Sequence, residues 1–327
     1  MKGTAEATWR EARMGVYLLT GGSGTIGTAL TKQLLSAGHK VRTLSRNEHS
    51  IQTLHRSIDP KHHVNLSCLI GDVRDIDRLM MAMRGVDYCI HAAAIKVIQL
   101  CEYDPKEAVL TNVLGSINVV DASIKSDVKR TVLISSDKEV LPVNCYGMTK
   151  GCAEKVFLAS NRYCGAGDKK FVIARYGNVW NSNGSVAGVW KKQAEAGQLR
   201  ITNREATRFH WKIDEAVNFV LDVTHNAAPE TIHVPKLPSY KLGELADAFE
   251  RVYEVPRPAE IMGLTPGEKL HETMVSEFES YQAEDKADRY ILHHQRPVCE
   301  GGWAYMSSTN WKLGRQHLED LIRETFR

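Results

Sequence analysis

No run of about 18 apolar residues occurs in the sequence, so a membrane-spanning helix is not expected. The opening stretch MKGTAEATWREAR is polar and lacks a hydrophobic centre, which speaks against a secretory signal. Cysteine is sparse: seven residues, an odd number, scattered singly with no C-x-x-C spacing. That pattern encodes neither a disulfide framework nor a zinc site, and it fits reduced thiols in a cytoplasmic protein. One-sided charge is missing too. The 42 Lys and Arg against 39 Asp and Glu leave a formal net charge of +3, far from the balance of a dedicated nucleic-acid binder. Internal repeats and low-complexity tracts are absent, and 43% hydrophobic residues exclude a disordered chain. What remains is a globular protein of 327 residues, two ordinary domains or one large α/β domain carrying a smaller one.

The pattern that is present alternates. Val16-Tyr17-Leu18-Leu19-Thr20 reads as a buried strand that enters a glycine turn. Ile26, Leu30, Leu34 and Leu35 then recur at helical spacing, and Gly38 closes that helix. Further strands are expected at 40–45, 64–72, 86–94, 130–136 and 171–178. Helices are expected near Ile51 and at 76–83, 105–125 and 146–160. Such alternation predicts βαβ units, hence an α/β Rossmann-type doubly wound parallel sheet. Beyond residue 180 the signals change. Helices are expected at 186–196, 214–224, with Asp214 as N-cap, and 241–253. A tail from 310 to 327 places Leu313, Leu318, Leu321 and Ile322 on one side. The expected organisation is an extension at 1–13, an NADP-binding domain at 14–180, and a smaller C-terminal substrate lobe at 181–327. Some segments of that lobe are expected to return to the sheet.

Gly21-Gly22-Ser23-Gly24-Thr25-Ile26-Gly27 follows the first strand and opens the first helix. Glycines there give a tight turn, let backbone approach a pyrophosphate, and let helix pack on strand. The helix N-terminus adds unpaired N–H groups for an anion. Gly21, Ser23, Gly24, Thr25, Ile26 and Gly27 are therefore candidate cofactor residues. At the end of the second strand stands Ser45-Arg46-Asn47, where an NAD site carries an acid. Arg46 suits a 2′-phosphate, so NADP is expected. Asp72 ends the third strand and either meets the adenine or caps the next helix. The fourth strand ends in the small residues Ala92 and Ala93, as needed where backbone lies against a cofactor.

Tyr146 and Lys150 stand four apart, on one helix face. In a nicotinamide site the lysine lowers the phenol pKa, and the tyrosinate takes a hydroxyl proton during hydride transfer. The fifth strand ends in Ser135-Ser136-Asp137-Lys138, at the edge where such sheets bind ligands. Hydride transfer alone needs the hydroxyl of Ser136 and the Tyr–Lys pair. The adjacent carboxyl and amine of Asp137 and Lys138 imply a further proton abstraction and donation. No metal is expected, because His62-His63 and His293-His294 lack ligand spacing.

The segments TGGSGTIG, HAAAIK, TNVLGSINV, SSDK, YGMTK, RYGNV, NGSV, TRF and PGEKLHE occur in this order over residues 16 to about 275. Together they resemble the extended short-chain dehydrogenase/reductase group, and specifically the soluble UDP-N-acetylglucosamine 4,6-dehydratases that invert C5. The retaining, membrane-anchored relatives typically carry methionine where this chain has Tyr146. The resemblance implies a hydro-lyase with tightly bound NADP, a UDP-sugar substrate, and a homo-oligomer between dimer and hexamer. It implies Tyr146 as base at the 4-hydroxyl, and Asp137 and Lys138 as acid and base, with their split left open. It adds Val73, Lys96 and Asn112 to the cofactor residues. Lys96, Asn178, Val186, Arg208, Glu268 and Lys269 become substrate residues. A 4-epimerase or a retaining dehydratase of the same fold is the alternative. Departures from the family pattern are Ser136 for threonine, Glu139-Val140-Leu141 beside the catalytic pair, and His210-Trp211-Lys212 after TRF. Glu139 stands as a competing base or as a group that reshapes the sugar pocket.

Overall fold

The computed structural model describes residues 9, 13–164, 169–294, 297 and 299–326. Most of the expected extension at 1–13 lies outside them.

Six parallel strands form the heart of the molecule: β1 (Val16–Thr20), β2 (Lys40–Ser45), β3 (Leu66–Ile70), β4 (Tyr88–His91), β5 (Arg130–Ser136) and β6 (Lys170–Tyr176). Their spatial order is β6-β5-β4-β1-β2-β3. The direction of winding reverses between β1 and β4, which leaves a crevice at their carboxyl ends. Three later segments extend the same sheet past β6: Thr231–Pro235, Arg289–His293 and Ala283–Asp285. The first pairs parallel to β6, and the other two add antiparallel.

The central strands are buried on both faces, which explains their continuous apolar runs. Leu18, Leu19, Cys89, Ile90, Val132, Leu133, Val172 and Ile173 are all fully or almost fully buried in the main core. A second apolar cluster joins Trp190, Leu245, Phe249, Leu318 and Ile322 from the later helices with Leu199 from a loop. The tail helix Arg315–Phe326 docks there through Leu318 and Ile322, Leu321 is also buried, and Leu313 joins the cluster just before the helix.

Several boundaries differ from the sequence reading for local reasons. Lys212, not Asp214, occupies the N-cap of helix Ile213–Asn226, so Asp214 sits in the first turn and complements the helix dipole. The helix expected at 105–125 carries a wide turn at Leu110–Leu114. A short helix at Ile98–Tyr103 precedes it, too brief for a periodic signal. Trp9 is buried against the main core although it belongs to the N-terminal extension.

Candidate active site

β1 runs into the glycine turn and then α1 (Thr25–Ser36). Gly21 has φ +70, and a Cβ there would lie 2.8 Å from the Ala93 backbone nitrogen. A Cβ on Gly27 would lie 2.6 Å from the Gly21 carbonyl oxygen. Backbone thus packs on backbone, and the turn sends no bulk into the crevice. The N-cap of α1 is Gly24, with no side chain capping the helix, so its first amides stay available for an anion. This cradle fits a dinucleotide pyrophosphate.

A cleft of about 590 Å³ opens over the turn. Gly21, Ser23, Gly24, Thr25, Ile26 and Gly27 line one end, with Ser45, Arg46, Asp72, Val73, Ala92, Ala93 and Lys96 around it. Arg46 is half exposed and lies 3.6 Å from Asp72. Asp72 also accepts two side-chain hydrogen bonds from Arg74 and one from the Arg74 amide. It caps no helix, since Asp75 holds that place. From across the cleft, the Asn183 amide donates to Thr25 Oγ1 at 3.0 Å, tying the Asn181–Ser185 loop to the glycine turn.

The other end is walled by Ser136, Asp137, Lys138, Tyr146 and Lys150. Ser136 caps a single tight turn at Asp137–Glu139, and Ser136 Oγ donates to Asp137 Oδ1 at 2.9 Å. Lys138 Nζ lies 3.1 Å from the same oxygen and 3.2 Å from Glu272 Oε1. Asp137 Oδ2 is buried with no hydrogen-bond partner. Helix Cys145–Tyr163 presses on this turn at Gly147, where a Cβ would meet the Lys138 carbonyl oxygen at 2.1 Å. Asn144 fixes the start of that helix by accepting from the Gly147 amide at 2.8 Å. Asn144 Nδ2 also donates to the Gly267 carbonyl at 2.7 Å, which ties the helix to PGEKLHE.

Burial lifts the Asp137 carboxyl, with Glu272 adding to it and Lys138 opposing. For Lys138, burial disfavours the ammonium, yet Asp137 and Glu272 outweigh it and hold the group above its usual range. Lys150 is buried and its pKa falls to about 8, chiefly through burial; its Nζ donates to the Ile134 carbonyl at 2.6 Å. The expected depression of the Tyr146 phenol by Lys150 is not what the geometry gives. Burial raises Tyr146, and the groups pulling it down are Lys138 and the hydrogen-bonding Ser136.

Glu139 does not enter the cleft. Its carboxyl turns behind the wall to Arg175, which is itself 1% exposed. Glu154 and Glu279 also pair with Arg175, at 2.7 and 2.8 Å. Arg175 Nε directs its hydrogen bond to Glu154. Glu139 Oε1, although 2.6 Å from that nitrogen, receives no directed bond. Burial raises the Glu139 pKa to about 8, against the pull of Arg175. The residue supports the wall from behind.

A second cavity of about 230 Å³ adjoins the cleft, sharing Asn178, Val179, Gly184 and Ser185 with it. Asn178, Val186, Arg208 and Glu268 line this cavity, together with Trp180, Trp190, His210 and Tyr240. Arg208 pairs with Glu268 at 2.7 Å. His210 is 4% exposed, with neither ring nitrogen partnered, and burial lowers it to about 4.

Two expected residues lie elsewhere. Asn112 is buried away from the cleft, exchanging hydrogen bonds with the Ile95 backbone and donating to Thr149 Oγ1. It shapes the loop that carries Lys96. Lys269 lines neither cavity, because its ammonium is bound by the Val140 carbonyl. Glu272 was legible only as the last residue of PGEKLHE. The aromatic lining at Trp180, Trp190 and Tyr240 gave no spacing signal. Among the described residues, no group of three or more His, Cys, Asp or Glu is arranged to hold a metal. None of the described helices is long and apolar enough to cross a membrane.

An inverting UDP-N-acetylglucosamine 4,6-dehydratase of Campylobacter jejuni is 36% identical over 94% of this chain and 97% of its own length. A UDP-glucose 4-epimerase of Rickettsia massiliae is 35% identical over 84% of this chain and 82% of its own length. The crystal structure of Pen from Bacillus thuringiensis superposes with a TM-score of 0.91 at 31% identity, covering 96% of this chain and 98% of that one. Residues 17–294 match the family described as polysaccharide biosynthesis protein, and the chain belongs to that family.

Proposed function

We propose that this protein dehydrates UDP-N-acetylglucosamine across C5 and C6, with inversion at C5, using NADP. The observation that carries the reading is a buried carboxyl and an amine in contact at 3.1 Å, Asp137 and Lys138, on the same wall as Tyr146. Hydride transfer at one carbon needs no such pair.

Bound dinucleotide supplies the acceptor for the C4 hydride and the donor that returns it at C6. Gly21, Ser23, Gly24 and the first amides of α1 hold its pyrophosphate. Arg46, which follows β2 where an NAD site carries an acid, selects the 2′-phosphate in place of its contact with Asp72. Tyr146 accepts the 4-hydroxyl proton as a phenolate, the form that Lys138 and Ser136 favour against burial. The resulting 4-ketone acidifies the C5 proton, which Lys138 removes as an amine. Asp137, whose carboxyl burial keeps toward its protonated form, donates to the departing 6-hydroxyl, and water leaves. A proton delivered to the opposite face of C5, balanced by the one that Tyr146 took from the 4-hydroxyl, completes the inversion and restores the phenolate. Arg208 meets the diphosphate by bidentate hydrogen bonding, displacing Glu268. The aromatic second cavity takes the rest of the nucleotide.

Incubating purified protein with UDP-N-acetylglucosamine and no added reductant tests the reading by mass. Loss of one water is expected. The similarity to the Rickettsia enzyme favours epimerisation as a second reading, and an isomeric product of unchanged mass would establish it instead.

A further inference from the structure

The proposed elimination uses one carboxylate beside Lys138, yet the structure provides two. Glu272 precedes strand Thr273–Val275 and is 3% exposed. Its amide donates to Ser307 Oγ at 2.9 Å. Glu272 Oε1 lies 3.2 Å from Lys138 Nζ and 3.9 Å from Arg208 Nε, and Oε2 has no hydrogen-bond partner. The residue therefore joins the reacting end of the cleft to the cavity that Arg208 lines.

We propose that Glu272 is a positioning residue for the elimination: it stays a carboxylate throughout and supplies the counter-charge that sets where the proton shared by Asp137 and Lys138 resides. The inference rests on the dehydratase reading.

Charge accounting leads to this role. Ammonium, carboxylate and carboxylate carry a net charge of minus one. Amine, carboxylic acid and carboxylate carry the same charge and the same number of protons. One transfer along the 3.1 Å contact links the two states: the Nζ–H bond breaks and an Oδ–H bond forms on Asp137. Lys138 becomes the base and Asp137 the acid, with no proton taken from or given to solvent. After Nζ has taken the C5 proton and Asp137 has released its own with the leaving water, the first arrangement returns.

In the armed state Asp137 is neutral, so Glu272 is left as the carboxylate in contact with Lys138. The other groups acting on the cluster are the cations Lys269, Lys96 and Arg208, the last paired with Glu268, and the phenols Tyr146 and Tyr240. Those cations drive a proton off Lys138; Glu272 opposes them and keeps the amine basic enough to take a carbon-bound proton. Glu272 itself holds its charge. Burial works against the carboxylate, but Lys138, Arg208 and Lys269 outweigh it.

The test is the kcat pH profile of the wild-type holoenzyme, E272Q and E272D with UDP-N-acetylglucosamine. Removing an anion weakens proton binding by the whole cluster, so both limbs of the E272Q profile move to lower pH, by about one unit or more. E272D, which draws the charge back from Nζ, moves them the same way by less. KM changes less than kcat. Limbs of folded E272Q that coincide with the wild-type limbs overturn the proposal, whatever the loss in rate. Where melting shows E272Q unfolded, E272D carries the test, and its unshifted limbs overturn the proposal. A wild-type protein that removes no water from the sugar overturns the dehydratase reading itself, before any variant is compared.

Discussion

Lys138 Nζ and Asp137 Oδ1 lie 3.1 Å apart at the end of β5, one side chain 18% and the other 1% exposed. A contact that dry and that close joins two groups whose proton can move between them. Replacing Lys138 with alanine removes the proposed base while leaving the glycine cradle intact. Water elimination should fall by roughly two to four orders of magnitude, the range of general acid–base catalysis, with NADP binding retained. Parallel loss of cofactor binding and elimination would assign Lys138 a structural role instead.

The ion-pair cluster behind that wall makes a stability prediction. Arg175 is buried among Glu139, Glu154 and Glu279. Arg175→Ala leaves those carboxyls without their cation and should cost about 3–5 kcal/mol, read by denaturant unfolding. A loss within experimental error would show that the cluster is dispensable.

Glu139 adds a pH dependence of definite sign. Its folded pKa of about 8 lies above the ordinary value of 4.5. The folded state therefore keeps this proton after the unfolded chain has lost it. The stability due to the group is complete below about pH 4.5 and is lost as pH rises through about 8. Glu139→Gln stays neutral throughout. Its melting temperature should gain on the wild type between pH 5 and 8, and a constant difference across that window would refute the assignment.

Cofactor choice depends on Arg46, half exposed at the cleft and 3.6 Å from Asp72. Arg46→Ala should weaken NADP binding by about 1.5–3 kcal/mol, roughly ten- to a hundredfold, and leave NAD binding nearly unchanged. Equal losses for both dinucleotides would place Arg46 away from the 2′-phosphate.

How far the sequence is legible depends on the range of the forces involved. β1, β2 and β5 lie at 16–20, 40–45 and 130–136 as expected, and β1 and β5 are legible because strands buried on both faces carry apolar runs. The glycine turn is legible because its φ and its close backbone approaches exclude side chains. Asp137, Lys138, Tyr146 and Lys150 come together because β5 and the following helix share one end of the sheet. Partnerships set by distant segments are not legible. Glu139 reads as a group beside the catalytic pair until Arg175 draws it behind the wall. Glu272 gains its meaning from Lys138, Asn112 its orientation from Ile95, and Lys269 its partner from Val140. Capping at Lys212 in place of Asp214 is a shift of two residues that periodicity does not resolve.

The most direct measurement of the central claim is NMR of the product formed from UDP-N-acetylglucosamine in deuterated water. Abstraction by Lys138 and reprotonation from the opposite face predict a 4-keto-6-deoxy sugar of inverted C5 configuration, with deuterium at C5. A product that keeps its 6-hydroxyl, or one that retains the C5 configuration, would contradict the account.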